Sequence, residues 1–191
     1  MTLSHHLLAE AYNNGWSNHR LLKACARLTQ AEFEAARTSF FPSIKATLNH
    51  ILTVDWFYID ALEREVAGLD PHPDYLSFFN PEQPFGACAS LKAAQAESDR
   101  RLIDYCQGLA DDTLDRKVAI LHGSLVQVET RERLLAHLFQ HQIHHRGQVH
   151  AMLAGTSVAP PQLDEFFCEM DREARAAEMR ELGWDEQAIW L

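Results

Sequence analysis

Apolar residues recur every three or four positions along four long stretches of the chain, which is the period of an amphipathic α-helix. The first predicted helix covers residues 5–28, and a capping box at residues 29–32 opens a short turn after it. The second long helix is predicted to begin near Pro42, a residue suited to the first helical position, and to continue to about residue 62. Residues 89–109 form the third long helix and residues 130–155 the fourth.

Prolines and glycines crowd residues 68–85, and this composition excludes a regular helix there. The connection is longer than a tight helical turn needs, so it could let the second and third helices run parallel. Two short apolar runs, residues 118–121 and 125–128, flank a glycine-containing turn and predict a small β-hairpin. A charged helix is predicted for residues 163–182.

These elements predict an all-α fold: a four-helix bundle with a small β-hairpin before the fourth long helix and a C-terminal helical extension. We expect residues 5–155 to form the bundle and residues 156–191 to form an extension packed on the same domain. A chain of 191 residues is long enough to bury a substantial core as one domain.

Charge and cysteine usage narrow the class of protein. The formal net charge of −10 argues against binding to nucleic acids or anionic membranes, which both need clustered lysine and arginine. The sequence lacks an apolar run long enough to span a bilayer and a recognisable signal peptide. The four cysteines (Cys25, Cys88, Cys106 and Cys168) show no C-x-x-C spacing, so we expect reduced thiols and a cytoplasmic location.

His141 and His145 carry the strongest chemical signal in the chain. They lie four residues apart in the fourth long helix, so both imidazoles project from one face of it and could share a metal ion. A zincin protease would need glutamate where Gln142 stands, and a di-iron carboxylate site would need carboxylates at Leu138 and Gln142. A structural zinc site would want cysteines, which this helix lacks. A mononuclear all-histidine site remains, beside the simpler alternative of hydrogen-bonded core histidines.

A third ligand has to come from elsewhere in the fold. His50 is the best candidate because it lies midway along the second, buried amphipathic helix. His19 in the first helix could reach a similar depth, and His137 could extend the same stripe by one turn. Three imidazoles would leave an open coordination position, which is typical of catalytic rather than structural sites.

Three sequence motifs resemble the DinB/YfiT-like family. They are NHILTVD at residues 49–55, HxxHHRGQ at residues 141–148, and the aromatic opening YNNGWSN at residues 12–18, which has one extra residue between tyrosine and tryptophan. The resemblance covers about residues 5–155, and its most specific part is the His-Arg-Gly-Gln ending.

The resemblance implies a bundle of up-down-down-up connection, commonly a homodimer, with one divalent metal ion held by three histidines. Carried over by motif position, those ligands are His50, His141 and His145, whereas His144 is not assigned to the metal. The family includes transferases and isomerases that use thiols such as mycothiol, bacillithiol or glutathione.

The leading hypothesis is therefore a metal-dependent thiol S-transferase, or a related enzyme acting on a small molecule, with zinc, nickel, iron or manganese as the metal. The alternatives are a metal-dependent hydrolase and a non-catalytic metal-binding stress protein. Asp55 and His144 are possible general bases, although a structural role is favoured for each. We expect Arg146 to pack or form an ion pair, Gly147 to permit close helix approach, and Gln148 to orient a ligand histidine.

Overall fold

The structure, a computed structural model, describes residues 1–190 and is mostly helical with one small antiparallel hairpin. The predicted helical class is therefore confirmed. The helices are α1 (Leu3–Cys25), α2 (Gln30–Glu34), α3 (Ile44–Ala67), α4 (Cys88–Gln107), α5 (Arg131–Leu153), α6 (Arg172–Leu182) and α7 (Glu186–Trp190). The strands are β1 (Lys117–His122) and β2 (Leu125–Thr130).

Side-chain caps determine where the long helices begin. The Ser43 hydroxyl accepts a hydrogen bond from the Ala46 N–H at 3.1 Å, so α3 starts one residue after Ser43. Pro42 thus lies just outside α3, and the expectation that it occupies the first helical position is wrong. Thr130 caps α5 in the same way, as the predicted start near residue 130 requires.

The four long helices bury their apolar faces against one another in a ring. α1 packs against α4 and α5, and α3 packs against the same two helices. Two apolar clusters fill the interior at successive levels. One cluster is centred on Leu62, Leu102 and Leu138, and the other includes Leu52 and Val149. Between these two clusters the interior contains buried polar side chains from all four long helices.

Two shorter elements cover the end of this ring where the cluster of Leu62, Leu102 and Leu138 lies. Residues 68–85, predicted to lack a regular helix, contain a single 3₁₀ turn, Tyr75–Phe79, which packs over the core residue Phe57. The hairpin has the predicted position, with Lys117 paired to Thr130 and a left-handed glycine, Gly123, in the turn. It buries Val118 and Ile120 of β1, so one of its faces leans on the helices.

The C-terminal segment is less helical than its composition predicts. The predicted helix over residues 163–182 is present only from Arg172, because the backbone carbonyls of Glu165 and Cys168 accept hydrogen bonds from the Arg175 guanidinium instead of helical N–H groups. Phe166 packs on Trp16 of α1, with ring centroids 5.8 Å apart. The segment therefore forms a third apolar cluster against the outside of α1.

None of the helices in residues 1–190 combines the length and the hydropathy that a membrane-spanning segment needs.

Candidate metal centre

Three histidines from two helices converge at one point between α3 and α5. His50 lies in the first half of α3, and His141 and His145 lie one turn apart on α5. Their candidate ligand nitrogens all lie within 4.8 Å of one another. His50 Nε2 and His141 Nε2 face each other at 3.0 Å. The three residues that the motifs single out are thus brought together by the fold.

Burial keeps these imidazoles neutral near pH 7. Desolvation, followed by the charge of His145, lowers the pKa of His50 to about 4. Desolvation and the neighbouring histidines lower the pKa of His141 to about 3, and desolvation also lowers the pKa of His145. A neutral imidazole has a free lone pair, which is the form that binds a metal ion.

The donor set fits one divalent transition-metal ion. Two nitrogens that each lie about 2 Å from a common ion are up to about 4 Å apart. The candidate ligand nitrogens of the three histidines, all within 4.8 Å of one another, have a comparable spacing. The group contains no carboxylate or thiolate, so it suits imidazole-binding ions rather than magnesium or calcium. His141 Nδ1 is buried without a hydrogen-bond partner among residues 1–190, whereas Nε2 of the same ring faces His50. Nε2 is therefore the His141 nitrogen that faces the other two histidines and is placed to bind an ion.

Gln148 occupies the position expected of a residue that orients a ligand. Its side-chain Oε1 lies 2.8 Å from Nδ1 of His145, so the imidazole N–H donates to the amide oxygen and Nε2 is left free. The amide nitrogen of Gln148 donates to His144 Nε2 at 3.1 Å. His144 is exposed and stands outside the three-histidine group.

Replacing Gln148 by alanine is expected to weaken metal binding by about 10-fold to 100-fold, because the His145 ring loses the partner that sets its orientation. Isothermal titration with Zn²⁺ or Ni²⁺ measures this change. Gln127→Ala, which removes an exposed amide on β2, is the matched control and should leave the dissociation constant unchanged. Equal affinity in the two variants would contradict an orienting role for Gln148.

An aromatic side chain covers one side of the three-histidine group. The Phe41 ring centroid lies 4.3 Å from that of His50 and 5.5 Å from that of His145. Phe41 is only partly buried, and its neighbour Phe40 is 80% exposed. This irregular segment before α3 therefore supplies an apolar wall beside the histidines, and helical periodicity could not have indicated it.

The two other histidines considered as ligands lie elsewhere. His19 pairs with Glu181 of α6 through its Nε2 at 2.9 Å. His137 Nε2 lies 3.3 Å from the Tyr58 hydroxyl, and its ring centroid is 6.3 Å from that of His141. Neither belongs to the group that could hold an ion.

A closed ring of hydrogen-bonded polar side chains crosses the interior next to the histidines. We call it the interhelical polar ring, and its members are Asn14, Asn18, Asp55, Gln95, Asp99, Gln142 and Arg146. All seven are buried, and they come from all four long helices. On one side, Arg146 Nη1 donates to Asn14 and to Asn18, the latter at 3.1 Å. Asn18 Nδ2 in turn donates to Asp99 Oδ1 at 2.8 Å.

The other half of the interhelical polar ring runs through α4 and α3 back to α5. Gln95 Nε2 donates to Asp99 at 3.1 Å and to Asp55 Oδ2 at 2.7 Å. The second oxygen of Asp55 accepts from Gln142, whose own carbonyl oxygen accepts from Arg146 at 3.2 Å. Both oxygens of Asp55 are therefore engaged here, and Asp55 is positioned as a structural residue rather than as a general base at the histidines.

Burial favours the neutral form of each ionisable member of the ring: it raises the pKa values of the two aspartates and lowers the pKa of the arginine. Desolvation and then the charge of Asp99 raise the pKa of Asp55 to about 7, and desolvation raises that of Asp99 to about 6. Desolvation lowers the pKa of Arg146 to about 10, so its guanidinium stays charged at neutral pH. Arg146 was expected to pack or to form an ion pair; it is buried, and its direct partners are the amide oxygens of Asn14, Asn18 and Gln142.

Asp99→Asn is expected to become more stable relative to the unchanged protein as pH rises through about 6. A carboxyl group with a raised folded-state pKa stabilises the fold below its ordinary pKa of 3.8, and this contribution is lost as pH rises through the folded value. The amide keeps the Oδ1 acceptor but cannot ionise, so the stability difference should grow by roughly 2 kcal/mol between pH 4 and pH 8. Urea unfolding of both proteins across that range tests this, and a constant difference would refute it.

The interhelical polar ring has a recognisable signature in the sequence. Three of its four helices contribute pairs spaced by four residues: Asn14 with Asn18, Gln95 with Asp99, and Gln142 with Arg146. Polar pairs at this spacing lie on one face of a helix, here within apolar stripes. Such pairs predict buried polar side chains that hydrogen-bond to one another. Which pair contacts which depends on how the helices pack.

Two glycines differ in how closely other segments approach them. A Cβ added at Gly147 would meet nothing within 4 Å, so the expectation of close helix approach there is wrong. The close approach occurs at Gly15 of α1, where an added Cβ would lie 3.0 Å from the Trp184 side chain and 3.4 Å from Asp99. Gly147 instead opens onto a cavity described below.

Comparison with known proteins gives one family match and no curated relative. The model of the DinB family matches residues 3–180, which includes α1, α3, α4 and α5 and continues to the second half of α6. The match contains all three convergent histidines and the whole interhelical polar ring. The chain therefore belongs to the DinB family.

Proposed function

We propose that this protein is a metal-dependent thiol S-transferase, or a closely related enzyme acting on a small molecule. The convergence of His50, His141 and His145 carries the proposal, because three neutral imidazoles at one point form a facially open ligand set for a divalent ion. Zinc, nickel, iron and manganese all suit these ligands. His50 contributes from α3 and the other two from α5, so the site depends on the packing of these helices.

A divalent ion bound there would lower the pKa of a coordinated thiol and hold it as the thiolate, the nucleophilic form, at neutral pH. The side chains around the site have separate tasks. Gln148 holds the His145 ring with Nε2 free, and the aromatic ring of Phe41 excludes water from one side. An apolar wall next to a thiolate favours an electrophile that carries an apolar group.

The reaction consistent with this site is substitution at carbon. The sulfur of a low-molecular-weight thiol such as glutathione forms a C–S bond, the leaving group departs with its bonding electrons, and the thiol proton passes to solvent. No carboxylate among residues 1–190 joins the three-histidine group, so we assign no general base.

Turnover of glutathione with an aryl chloride tests the proposal. Protein loaded separately with zinc, nickel, iron or manganese should release chloride only when the thiol is present. His141→Ala should abolish this activity, and His137→Ala, a histidine on the same helix outside the group, should retain it. Thiol-independent hydrolysis of an activated ester would identify a hydrolase instead. Metal binding without either reaction would indicate a non-catalytic metal-binding protein.

The wider organisation is part of the same proposal. Two observations support a four-helix bundle of up-down-down-up connection: α1 and α5 run from the cluster of Leu62, Leu102 and Leu138 to the cluster of Leu52 and Val149, and α3 and α4 run the opposite way. We propose that residues 5–155 form this bundle and that residues 156–191 form an extension packed on the same domain, with contacts of Phe166 and Met179 in support. We further propose that the protein is a cytoplasmic homodimer. Its partner would be a small-molecule substrate, and it would bind neither nucleic acid nor a membrane. Sedimentation equilibrium tests the oligomeric state.

A further inference from the structure

A cavity lies on the face of α5 that points away from the three histidines. Its volume is about 560 Å³, within the range of small-molecule sites. Residues of α1, α5 and the C-terminal segment line it, and none of the three convergent histidines does. At 100° per residue, Ile143 and His150 stand roughly opposite His141 on the helix. The cavity is therefore separate from the candidate metal centre.

Arg146 gives this cavity a buried cationic group with free donors. Its side chain lines the cavity although the residue is only 4% exposed. Nη1 makes all the hydrogen bonds to Asn14, Asn18 and Gln142, whereas Nε and Nη2 have no hydrogen-bond partner among residues 1–190. A guanidinium edge with two parallel N–H donors matches the two oxygens of a carboxylate.

The other residues that line the cavity limit which kind of carboxylate-containing ligand fits it. Four apolar side chains form much of the lining: Ile143, Leu163, Phe166 and Phe167. Ile143 is 48% exposed and Phe167 is 42% exposed, so apolar area stays open to a ligand. Two carboxylates, Glu10 and Asp164, also line the cavity. They repel a dianion and favour a ligand that carries an ammonium group as well.

We propose that this cavity binds a small zwitterion with an apolar group, of which an amino acid with an apolar side chain is the simplest example. The ligand carboxylate binds the free edge of Arg146, and its ammonium group lies on the side of Glu10 and Asp164. Its apolar group packs against Phe167 and Ile143. This inference does not depend on the proposed transferase activity, because it uses neither the histidines nor a metal.

Gly147 provides a variant that blocks the cavity without disturbing the fold. It lines the cavity, and an added Cβ would meet no atom within 4 Å. Leucine is favoured over glycine at a helix interior position, so Gly147→Leu should fold at least as well as the unchanged protein. Gln140→Leu adds the same side chain two turns earlier on an exposed part of α5 that does not line the cavity, and serves as the matched control.

Calorimetric titration with L-phenylalanine tests the proposal. The unchanged protein should bind one equivalent saturably. Gly147→Leu should weaken binding by at least about tenfold, whereas Gln140→Leu should not. 2-Phenylethylamine, which lacks the carboxylate, and 3-phenylpropionate, which lacks the ammonium group, should each bind at least about tenfold more weakly, because each leaves a charged group of the cavity without its partner.

Three results would overturn the proposal. They are the absence of saturable phenylalanine binding, an unchanged dissociation constant in Gly147→Leu, and phenylethylamine binding as tightly as the amino acid. Sedimentation of Gly147→Leu adds a further check. If this substitution converts a dimer to a monomer while the unchanged protein fails to bind phenylalanine, the cavity belongs to an interface between two copies of the chain.

Discussion

His141→Ala is expected to lose stoichiometric binding of a divalent metal ion. His141 faces His50 at 3.0 Å and shares a helix turn with His145, so its removal leaves only two imidazoles, on different helices. Loss of a supporting hydrogen bond at a metal site already costs about 10-fold to 100-fold in affinity, and loss of a ligand should exceed about 100-fold. Equilibrium dialysis with Zn²⁺ or Ni²⁺ followed by metal analysis measures the change.

His137→Ala is the matched control for this experiment. It removes a histidine from the same helix, one turn earlier, that hydrogen-bonds Tyr58 and lies outside the group. The control should retain one metal ion per chain. If His137→Ala and His141→Ala lose metal equally, the ion is bound by the histidine-rich helix in general, and the three-histidine assignment is wrong.

Arg146→Met is expected to destabilise the protein by about 3–5 kcal/mol, the usual cost of removing one partner from a buried charged network. The substitution leaves the carbonyl oxygens of Asn14, Asn18 and Gln142 without their shared donor. It also removes the cation whose charge opposes the raised pKa of both buried carboxyl groups. Chemical unfolding monitored by circular dichroism gives the free energy directly.

Arg133→Met is a suitable control because it removes an arginine from the same helix at the surface. Its side chain is 75% exposed, and its ion pair with Glu129 spans 3.4 Å, so the expected change is within about 0.5 kcal/mol. Combining Arg146→Met with Asp99→Asn should restore part of the lost stability, since one uncompensated carboxylate is then absent. A loss of less than about 1 kcal/mol in Arg146→Met would show that the ring contributes little.

The long helices and the candidate metal ligands could both be predicted from the sequence, but for different reasons. Each long helix has a continuous apolar stripe, and local spacing alone predicts it. His141 and His145 are one turn apart, so their proximity is also a local property. His50 is ninety-one residues from His141 along the chain. Its position midway along a buried helix made His50 the best third candidate, with His19 and His137 as alternatives, and the family motif around His50 then favoured it further.

The parts that sequence reasoning missed depend on contacts between distant segments. Phe41 lies in an irregular stretch without periodicity, so no pattern places its ring on His50. The C-terminal helix begins at Arg172 because Arg175 captures carbonyls that a helix would otherwise use. Gly147 has open space instead of a neighbouring helix, whereas the close approach at Gly15 requires Trp184 from far along the chain. Tertiary packing decides each of these features.

The interhelical polar ring also has a consequence for the motions of the protein. Because each long helix contributes a member, no one of these helices can detach without exposing buried amides or carboxylates that have lost their partners. Amide protons in α3 and α5 should therefore exchange with solvent mainly through a shared global opening rather than helix by helix. His50, His141 and His145 would then keep their relative placement before any ion arrives, and metal capture would be a fast event on a prearranged scaffold.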